Sequence, residues 1–393
     1  MRIGVDAGCW ANDRGYGRFA RELLPEMVRA APEDDFVFLL DPASRHRFEL
    51  SAPNVYTVDV AQSVSPTEAA AADGARSACD MLRFTRAVRR AKLDVFFCPS
   101  VYTYFPLPPG LRAVVGIHDA IAERFPSLTL PSTRARLFWK AKVKLAVLQS
   151  TLVLSVSDFA ADDVSSVIGV PRSKIRVAVE APAAAFRPSE SIDMIRKVAA
   201  RFGLSDDDTW LIYVGGFNPH KNLDVLVRAY ASAVREFSHG STPYLLLVGT
   251  LAADVFHLAT ADIRSTIDEL GVHDWVIWTD FVADEELRHL YSGALALVLP
   301  SDCEGFGLPA VEAAACGTAV IATTESPLPE LLAGGGIFVE PRDEEGLTDA
   351  LRMLILDDQA RATMAAKALE RAGLLSWERC ATEALAAIRE AAA

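Results

Sequence analysis

Three things are scarce in this chain of 393 residues. Positive charge is the first: 39 Lys and Arg stand against 52 Asp and Glu, for a formal net charge of −13. A chain that acidic is a poor general polyanion binder, so sequence-independent nucleic-acid binding is not expected. Cysteine is the second. Cys9, Cys79, Cys98, Cys303, Cys316 and Cys380 form no C-x-x-C pair and no His/Cys spacing of a zinc site. Scattered thiols in a reducing compartment are the simpler reading, and no metal centre is expected. Long apolar runs are the third. None reaches 18 residues, which excludes a membrane-spanning helix, and the opening "MRIGVDAG" carries no apolar signal region. A nicotinamide fingerprint is also missing: Gly15, Tyr16 and Gly17 follow a strand candidate but do not make G-x-G-x-x-G, so an NAD dehydrogenase is disfavoured.

What is present is apolar alternation. With 51% hydrophobic residues, the chain can bury two cores, and its length suits two domains. "RIGVDAG", "FVFLLD", "NVYTVDV", "LDVFFCPS", "RAVVGIHD" and "STLVLSVSD" read as strands with helical segments between several of them. A second such series runs "WLIYVGG", "PYLLLVG", "DWVIWTDFV", "ALALVLP", "TAVIATT" and "GGIFVEP". Between the series, "EAPAAAFRPSESI" loses periodicity and reads as a linker. The expected architecture is α/β: two doubly wound, Rossmann-like domains, 1–186 and 187–375, facing across a cleft. A final helix is expected over 376–393.

Ligands of open parallel sheets bind beyond the carboxyl ends of the strands. One such end is "ALALVLPSDCEGFGLPAVEAAACG", which reads strand, loop, helix, stop. Pro309 suits a first helical turn, and Cys316-Gly317 a last one. Gly305 and Gly307 let backbone approach a ligand closely, and the bare amides of a helix start attract an anion such as a diphosphate. Glu304 would then lie beside whatever hangs from the phosphate. Glu312, one turn inside, could accept two hydrogen bonds from a vicinal diol such as ribose offers. The plainer alternative is a helix start with glycines for a tight turn and glutamates favouring the helix dipole. His118 and Asp119 end another strand, where a structural histidine is the plainer alternative and Asp119 is an orienter or a cap.

"EGFGLPAVEAAACGTAVIAT" resembles the E-x7-E signature of the retaining glycosyltransferases of family 4, which have the two-domain GT-B fold. "YVGGFNPHKNLDVLVRAY" resembles that family's phosphate-binding strand–loop–helix, and "GYGRFAREL" and "SVSDFAADDV" resemble elements of its acceptor-side domain. The resemblance implies an enzyme that moves a hexosyl group with retention from a nucleoside-diphosphate sugar, GDP-mannose first, to a glycan, lipid-linked or small-molecule acceptor. It implies no cofactor and no metal, and a final helix packed back on the first domain. Glu304 would bind donor-sugar hydroxyls, the amides of Phe306, Gly307 and Leu308 the sugar and phosphate, and Glu312 the ribose. Lys221 matches the diphosphate lysine. His220 stands where the family commonly has arginine, and Gly216 where some members have an earlier one, so His220 is expected to help only when protonated. Gly15, Tyr16 and Gly17 would form a glycine loop facing donor phosphates and acceptor. His118 would sit near the reacting sugar, and Val282 and Phe281 near the base. A non-catalytic nucleotide-sugar-binding subunit and an epimerase or phosphorylase on the same fold remain alternatives.

One stretch stands apart. "RARLFWKAKVKLAVLQS", from residue 134, carries five basic and no acidic residues. On a helix, Arg136, Lys140 and Lys144 share one face, and Leu137, Phe138, Ala141, Leu145 and Leu148 another. A membrane-surface helix, a grip on an anionic acceptor, and the solvated face of a core helix are all open for 134–148. The localisation expected is cytoplasmic, with attachment to the inner membrane face left open.

Overall fold

The computed structural model describes residues 1–65, 77–130, 132–238, 241–250 and 260–393. They divide into two compact units, Met1–Glu180 with Ser376–Ala393, and Ala181–Leu375. The division falls after Glu180, six residues before the sequence-based boundary. Ala181, Ala183 and Phe186 account for the shift: they are buried residues of the second unit, with Phe186 5.8 Å from the Tyr291 ring.

The first unit holds β1 (Arg2–Asp6), β2 (Asp35–Leu40), β3 (Val55–Asp59), β4 (Val95–Cys98), β5 (Arg112–Gly116), β6 (Leu152–Ser155) and β7 (Ile175–Val177). They form a seven-stranded sheet in the order β3-β2-β1-β4-β5-β6-β7, parallel throughout. β7 is absent from the sequence reading. It is only three residues long, "IRV", at a sheet edge, and is too short for a period to show. Apart from the edge strand β3, whose Tyr56, Thr57 and Asp59 are exposed, the longer strands are near-continuous apolar runs because both faces are covered. "FVFLL" of β2, "VFFC" of β4 and "LVLS" of β6 are buried along their whole length.

The final helix, Trp377–Ala392, packs along the helix Gly15–Ala30 and over β4, β5, β6 and β7 of the first unit. Ser376 caps it by accepting the Arg379 N–H at 3.1 Å. Arg389 pairs with Glu33 at 2.9 Å and Asp34 at 3.1 Å, and Arg176 Nε donates to Glu390 at 2.8 Å. The helix Gly15–Ala30 runs through Pro25 without a break; the proline leaves only the Arg21 carbonyl without its usual i+4 donor.

The second unit holds β8 (Trp210–Val214), β9 (Tyr244–Val248), β10 (Val276–Asp280), β11 (Ala296–Leu299), β12 (Ala319–Thr323) and β13 (Gly336–Val339). Their order, β10-β9-β8-β11-β12-β13, is again parallel throughout. In each sheet the chain grows outward one way and then returns to the other side of its first strand. The turning points are β1/β4 and β8/β11.

Candidate functional site

Where a sheet reverses its direction of growth, the loops leaving the two central strands diverge and open a crevice at their carboxyl ends. In the second unit these are the loops after β8 and β11. The first begins with Gly215 at φ +156°, where a Cβ would come within 2.7 Å of the Tyr213 hydroxyl. That fully buried tyrosine donates to the Gly216 carbonyl at 2.6 Å, so the loop turns on a fixed post. A short 3₁₀ turn, Pro219–Lys221, follows. Asn222 then adopts a left-handed conformation, φ +53°, and leads into the helix Leu223–Val234.

The loop after β11 carries Ser301, Asp302, Glu304, Gly305 and Phe306 to Gly307, which sits at φ +89° directly before the helix Leu308–Ala315. A side chain at Gly307 would be strained by its φ and would press a Cβ to 2.8 Å from Leu328. Pro309 lies in the first turn as expected, and Gly317, at φ +77°, ends the helix. Phe306, Leu308 and Glu312 are all buried.

The two loops meet. Lys221 Nζ lies 2.7 Å from Glu304 Oε1, and the Ser301 hydroxyl donates to the same oxygen at 2.5 Å. Both charged side chains are largely shielded, with 17% and 10% exposure. Behind them stands a residue that sequence reasoning missed. Asp302, 4% exposed, accepts Asn222 Nδ2 at 2.8 Å and a two-pronged grip from Arg342, Nε at 2.8 Å and Nη2 at 2.7 Å. Its own N–H donates to the His220 carbonyl at 2.8 Å. Asp302 therefore ties the Lys221 turn to the Glu304 loop, and its bidentate pair with Arg342 fastens the segment after β13 to the same point. A cavity of about 350 Å³ shares Asn222 and Arg342 with this clamp but is lined by neither Lys221 nor Glu304.

His220 needs a correction. It is buried, and burial, with Lys221 beside it, pushes its imidazole down to about 3. At neutral pH it carries no charge and does not replace the family's basic residue as a cation. Its position serves the backbone, through the carbonyl that Asp302 uses. Val282, 5% exposed, and Phe281, 65% exposed, follow β10 on the same carboxyl edge of the sheet. The ends of β9 and β10 are tied there by the Gly249 N–H to the Asp280 carbonyl, 3.2 Å.

In the first unit the corresponding crevice opens beside a buried carboxylate. Asp6, fully buried at the end of β1, accepts the Gly8 N–H at 3.0 Å and the Thr103 hydroxyl at 2.8 Å. Gly15, Tyr16 and Gly17 are not a loop but the first turn of the helix Gly15–Ala30. Gly17 is required by packing, since a Cβ would overlap the Asn12 carbonyl. Asn12 also donates to the Tyr16 hydroxyl at 2.7 Å, and Tyr16 stacks on Tyr102, centroids 5.2 Å apart.

His118 Nε2 is 2.8 Å from the Pro99 carbonyl, and Phe19 meets its ring edge-on at 4.5 Å. A carbonyl only accepts, so Nε2 carries the proton and Nδ1 keeps a lone pair. Burial pushes the imidazole down to about 4, so this tautomer is uncharged at neutral pH. Asp119 accepts the Ile121 N–H at 3.0 Å in the turn that leads into the short helix Ile121–Arg124, whose cap position is Ala120. Tyr102, Trp139 and Glu123 were not legible in advance. Trp139 lies 5.0 Å from the Tyr102 ring and donates to Glu123 at 2.7 Å. Burial raises the Glu123 carboxyl to about 7 in spite of that hydrogen bond.

The family model described as "Glycosyl transferases group 1" matches residues 195–371, and the one described as "Glycosyltransferase Family 4" matches residues 14–178. The O-antigen chain mannosyltransferase B of Escherichia coli is 28% identical over 308 residues, 77% of this chain and 76% of the relative. The D-inositol 3-phosphate glycosyltransferase of Frankia alni is 34% identical over 222 residues, 55% of this chain and 53% of the relative. Among solved structures, Anabaena HepE in complex with UDP superposes with a TM-score of 0.70 at 17% identity, over 99% of this chain and 100% of that one. With one family model on each unit and the same pair of parallel-sheet Rossmann-like domains in its structural relatives, the chain belongs to the GT-B glycosyltransferases of family 4.

Proposed function

We propose that the protein is a retaining hexosyltransferase that takes its sugar from a nucleoside-diphosphate donor and passes it to a hydroxyl of a glycan, lipid-linked or small-molecule acceptor, without a metal. The observation that carries this reading is the meeting of Lys221 and Glu304, 2.7 Å apart, where the β8 and β11 loops part and the helix Leu308–Ala315 begins. GDP-mannose is the first donor to try because the Escherichia coli relative is a mannosyltransferase; the UDP bound to HepE puts UDP-hexoses second.

The chemistry asked of these residues is charge stabilisation. As the bond from C1 of the sugar to the diphosphate breaks, negative charge builds on the leaving oxygen. Lys221 and the amides of Phe306, Gly307 and Leu308 at the helix start supply positive potential to it. Glu304 gives up part of its grip on Lys221 to a donor-sugar hydroxyl, which couples donor arrival to release of the lysine. Glu312 accepts the two ribose hydroxyls. His118, with Nδ1 unprotonated, accepts a sugar hydroxyl rather than donating a proton. The acceptor oxygen enters on the face from which the diphosphate leaves, and a phosphate oxygen takes its proton. All six cysteines are free, which suits a reducing, cytoplasmic compartment.

The test is transfer from a panel of GDP-, UDP-, ADP- and dTDP-sugars, with the anomeric configuration of the product read by NMR and each assay repeated with Glu312→Ala. Retained configuration, and a raised donor KM in the variant, are the expected results. Isomerisation of the donor without acceptor, turnover that requires inorganic phosphate, or binding without transfer to any acceptor would each replace this reading with one of its rivals. Unchanged rates in a chelator are expected as well.

A further inference from the structure

Segments leaving the carboxyl ends of β1, β4 and β5 bring aromatic and carboxyl groups to one place in the first unit. Tyr16 comes from the first turn of the helix Gly15–Ala30, Tyr102 from the 3₁₀ turn Val101–Thr103, and Glu123 from the short helix Ile121–Arg124. The helix Thr133–Gln149 completes the group with Trp139 and Lys142, while its Leu137, Phe138 and Leu148 turn outward, 66%, 65% and 71% exposed. The rings form a ladder. Tyr16 stacks on Tyr102 at 5.2 Å with the planes 15° apart, and Trp139 continues the series at 5.0 Å. Phe19, one helical turn after Tyr16, meets the His118 ring, so the Tyr16 end of the ladder lies one turn from that histidine. All three rungs, and Glu123 itself, are only partly buried.

Glu123 is prepared for a charge that the protein does not complete. Trp139 Nε1 donates to its Oε1 at 2.7 Å, and among the described residues no other side chain donates to it. A carboxylate has room for about four hydrogen bonds. Of the cations around it, Lys142 donates to the Tyr102 carbonyl at 3.2 Å and lies 4.6 Å from the Trp139 ring centre. Arg124 turns away to Asp163 at 3.0 Å, and Arg14 lies toward Tyr16 and Tyr102. Burial, opposed by the Trp139 bond and reinforced by the like charge of Asp119, holds the Glu123 carboxyl at about 7. Its ionised form is short of donors, and hydroxyls would supply them. With Arg14 and Lys142 set against Asp119 and Glu123, the group favours neither a phosphate nor an amine. A neutral ring that carries hydroxyls at its rim and C–H bonds on its face fits both the ladder and the carboxyl.

We propose that this group is the subsite for a sugar ring of the acceptor: an uncharged pyranose lies with its C–H face on the Tyr16–Tyr102–Trp139 ladder and donates hydroxyls to Glu123, which selects a neutral saccharide over a phosphorylated one. The proposal rests on the transferase reading and names the acceptor class that reading leaves open. Glu123 touches the acceptor, and Trp139 is a positioning residue that holds the carboxyl and favours its anion. Hydroxyls bind an ionised carboxylate more strongly than a protonated one, so acceptor affinity rises with pH while the stability of the free protein falls.

The experiment titrates the full chain, without donor, with the methyl α-glycosides of mannose, glucose and galactose and with the matching hexose 6-phosphates. Binding is followed by saturation-transfer NMR at pH 6, 7 and 8. At least one neutral hexoside should bind more tightly than its phosphate. Its apparent Kd should fall about tenfold from pH 6 to pH 8, as the anion of Glu123 goes from about a tenth to most of the population. Glu123→Gln, with circular dichroism unchanged, should bind at every pH as the unaltered chain binds at pH 6. Trp139→Phe keeps a ring and removes the donor, so the midpoint of the pH profile should move to higher pH. A pH profile that survives Glu123→Gln, binding by the phosphates alone, or binding by no hexoside would overturn the proposal. GDP and UDP titrated into the same samples separate the two readings: nucleotide binding without hexoside binding overturns this subsite alone, and failure of both nucleotides to bind overturns the transferase reading and the subsite with it.

Discussion

The two units share one topology and use it in opposite ways. At β8/β11 the second unit assembles charge: a lysine on a glutamate, and an aspartate between an asparagine and an arginine. At β1/β4 and β5 the first unit suppresses it. Its histidine is pushed down to about 4, its Glu123 up to about 7, and aromatic rings line the route between them. The same open sheet thus carries an ion-paired cluster in one crevice and largely buried side chains in the other, and the difference lies in what the loops carry.

The largest effect should come from removing charge where the second unit assembles it. Lys221→Ala and Glu304→Gln should each lower kcat by about 10²–10³-fold, the scale of losing one preorganised stabiliser of developing charge. Lys221→Ala should also lower the Tm, since it leaves the largely shielded Glu304 with only the Ser301 hydroxyl, whereas Glu304→Gln removes the charge and should cost less stability. His118→Asn, the matching change in the first unit, should cost only about tenfold, because a neutral imidazole accepting one hydroxyl is replaced by another neutral acceptor. Equal losses at both positions, measured by transfer kinetics, would erase the contrast between the units.

Next is the clamp. Asp302→Ala takes from buried Asn222 Nδ2 one of its two acceptors, leaving the Pro300 carbonyl at 3.1 Å, and releases Arg342, whose side chain is 57% exposed and can turn to solvent. The net loss should be about 2 kcal/mol of stability, read as a lower Tm. Donor KM should also rise, because the Lys221 turn is no longer held to the Glu304 loop. A Tm loss with unchanged kinetics would reduce Asp302 to a structural residue.

A third prediction tests the first unit's dislike of charge. Glu123 has a folded value of about 7, above the ordinary carboxyl value, because burial penalises the anion. The folded state therefore holds the proton more tightly than the unfolded one. Stability is fullest below the unfolded value and is lost as pH rises through about 7. Glu123→Gln, neutral at every pH, should gain roughly 1–2 kcal/mol over the unaltered chain at pH 8 and little at pH 4, as read from denaturant midpoints at the two pH values.

The sequence was informative where an element's chemistry is local. Strand runs, the helix start at Pro309, the glycine at position 307 and the two glutamates all follow from spacing within a few residues, and each lies where the spacing puts it. Asp302 and Arg342 escaped because their partners lie in other segments: Arg342 is 40 residues from Asp302, with no motif between them. The glycine pair at 15 and 17 misled for a related reason. Gly17 is fixed by an Asn12 carbonyl overhead, a packing demand that looks in sequence like the freedom of a loop. His220 was expected to help only when protonated, and the sequence does not show the burial that disfavours that form. The outward apolar face of Thr133–Gln149 was visible as a composition, but only exposure separates a core helix from a surface one.

The smallest expected effect concerns the two buried imidazoles. His118 and His220 have folded values of about 4 and about 3, both below the ordinary value, so the unfolded chain takes up protons first as pH falls. Each is neutral across the physiological range and confers no pH dependence on the rate there. His220→Asn should therefore lower kcat/KM by only a few-fold, with a variant-to-parent ratio constant between about pH 6 and pH 8. Were the imidazole a cation at the leaving group, the ratio would worsen steadily as pH fell and the parent gained charge that the variant lacks. Stability supplies the counterpart. The unaltered chain should lose roughly 1–2 kcal/mol per imidazole between pH 7 and pH 5, and His118→Asn and His220→Asn should each flatten that slope by one such share. A slope left unchanged by His220→Asn would mean that this ring is solvated and titrates normally, and the second unit would then hold one more cation than its geometry indicates.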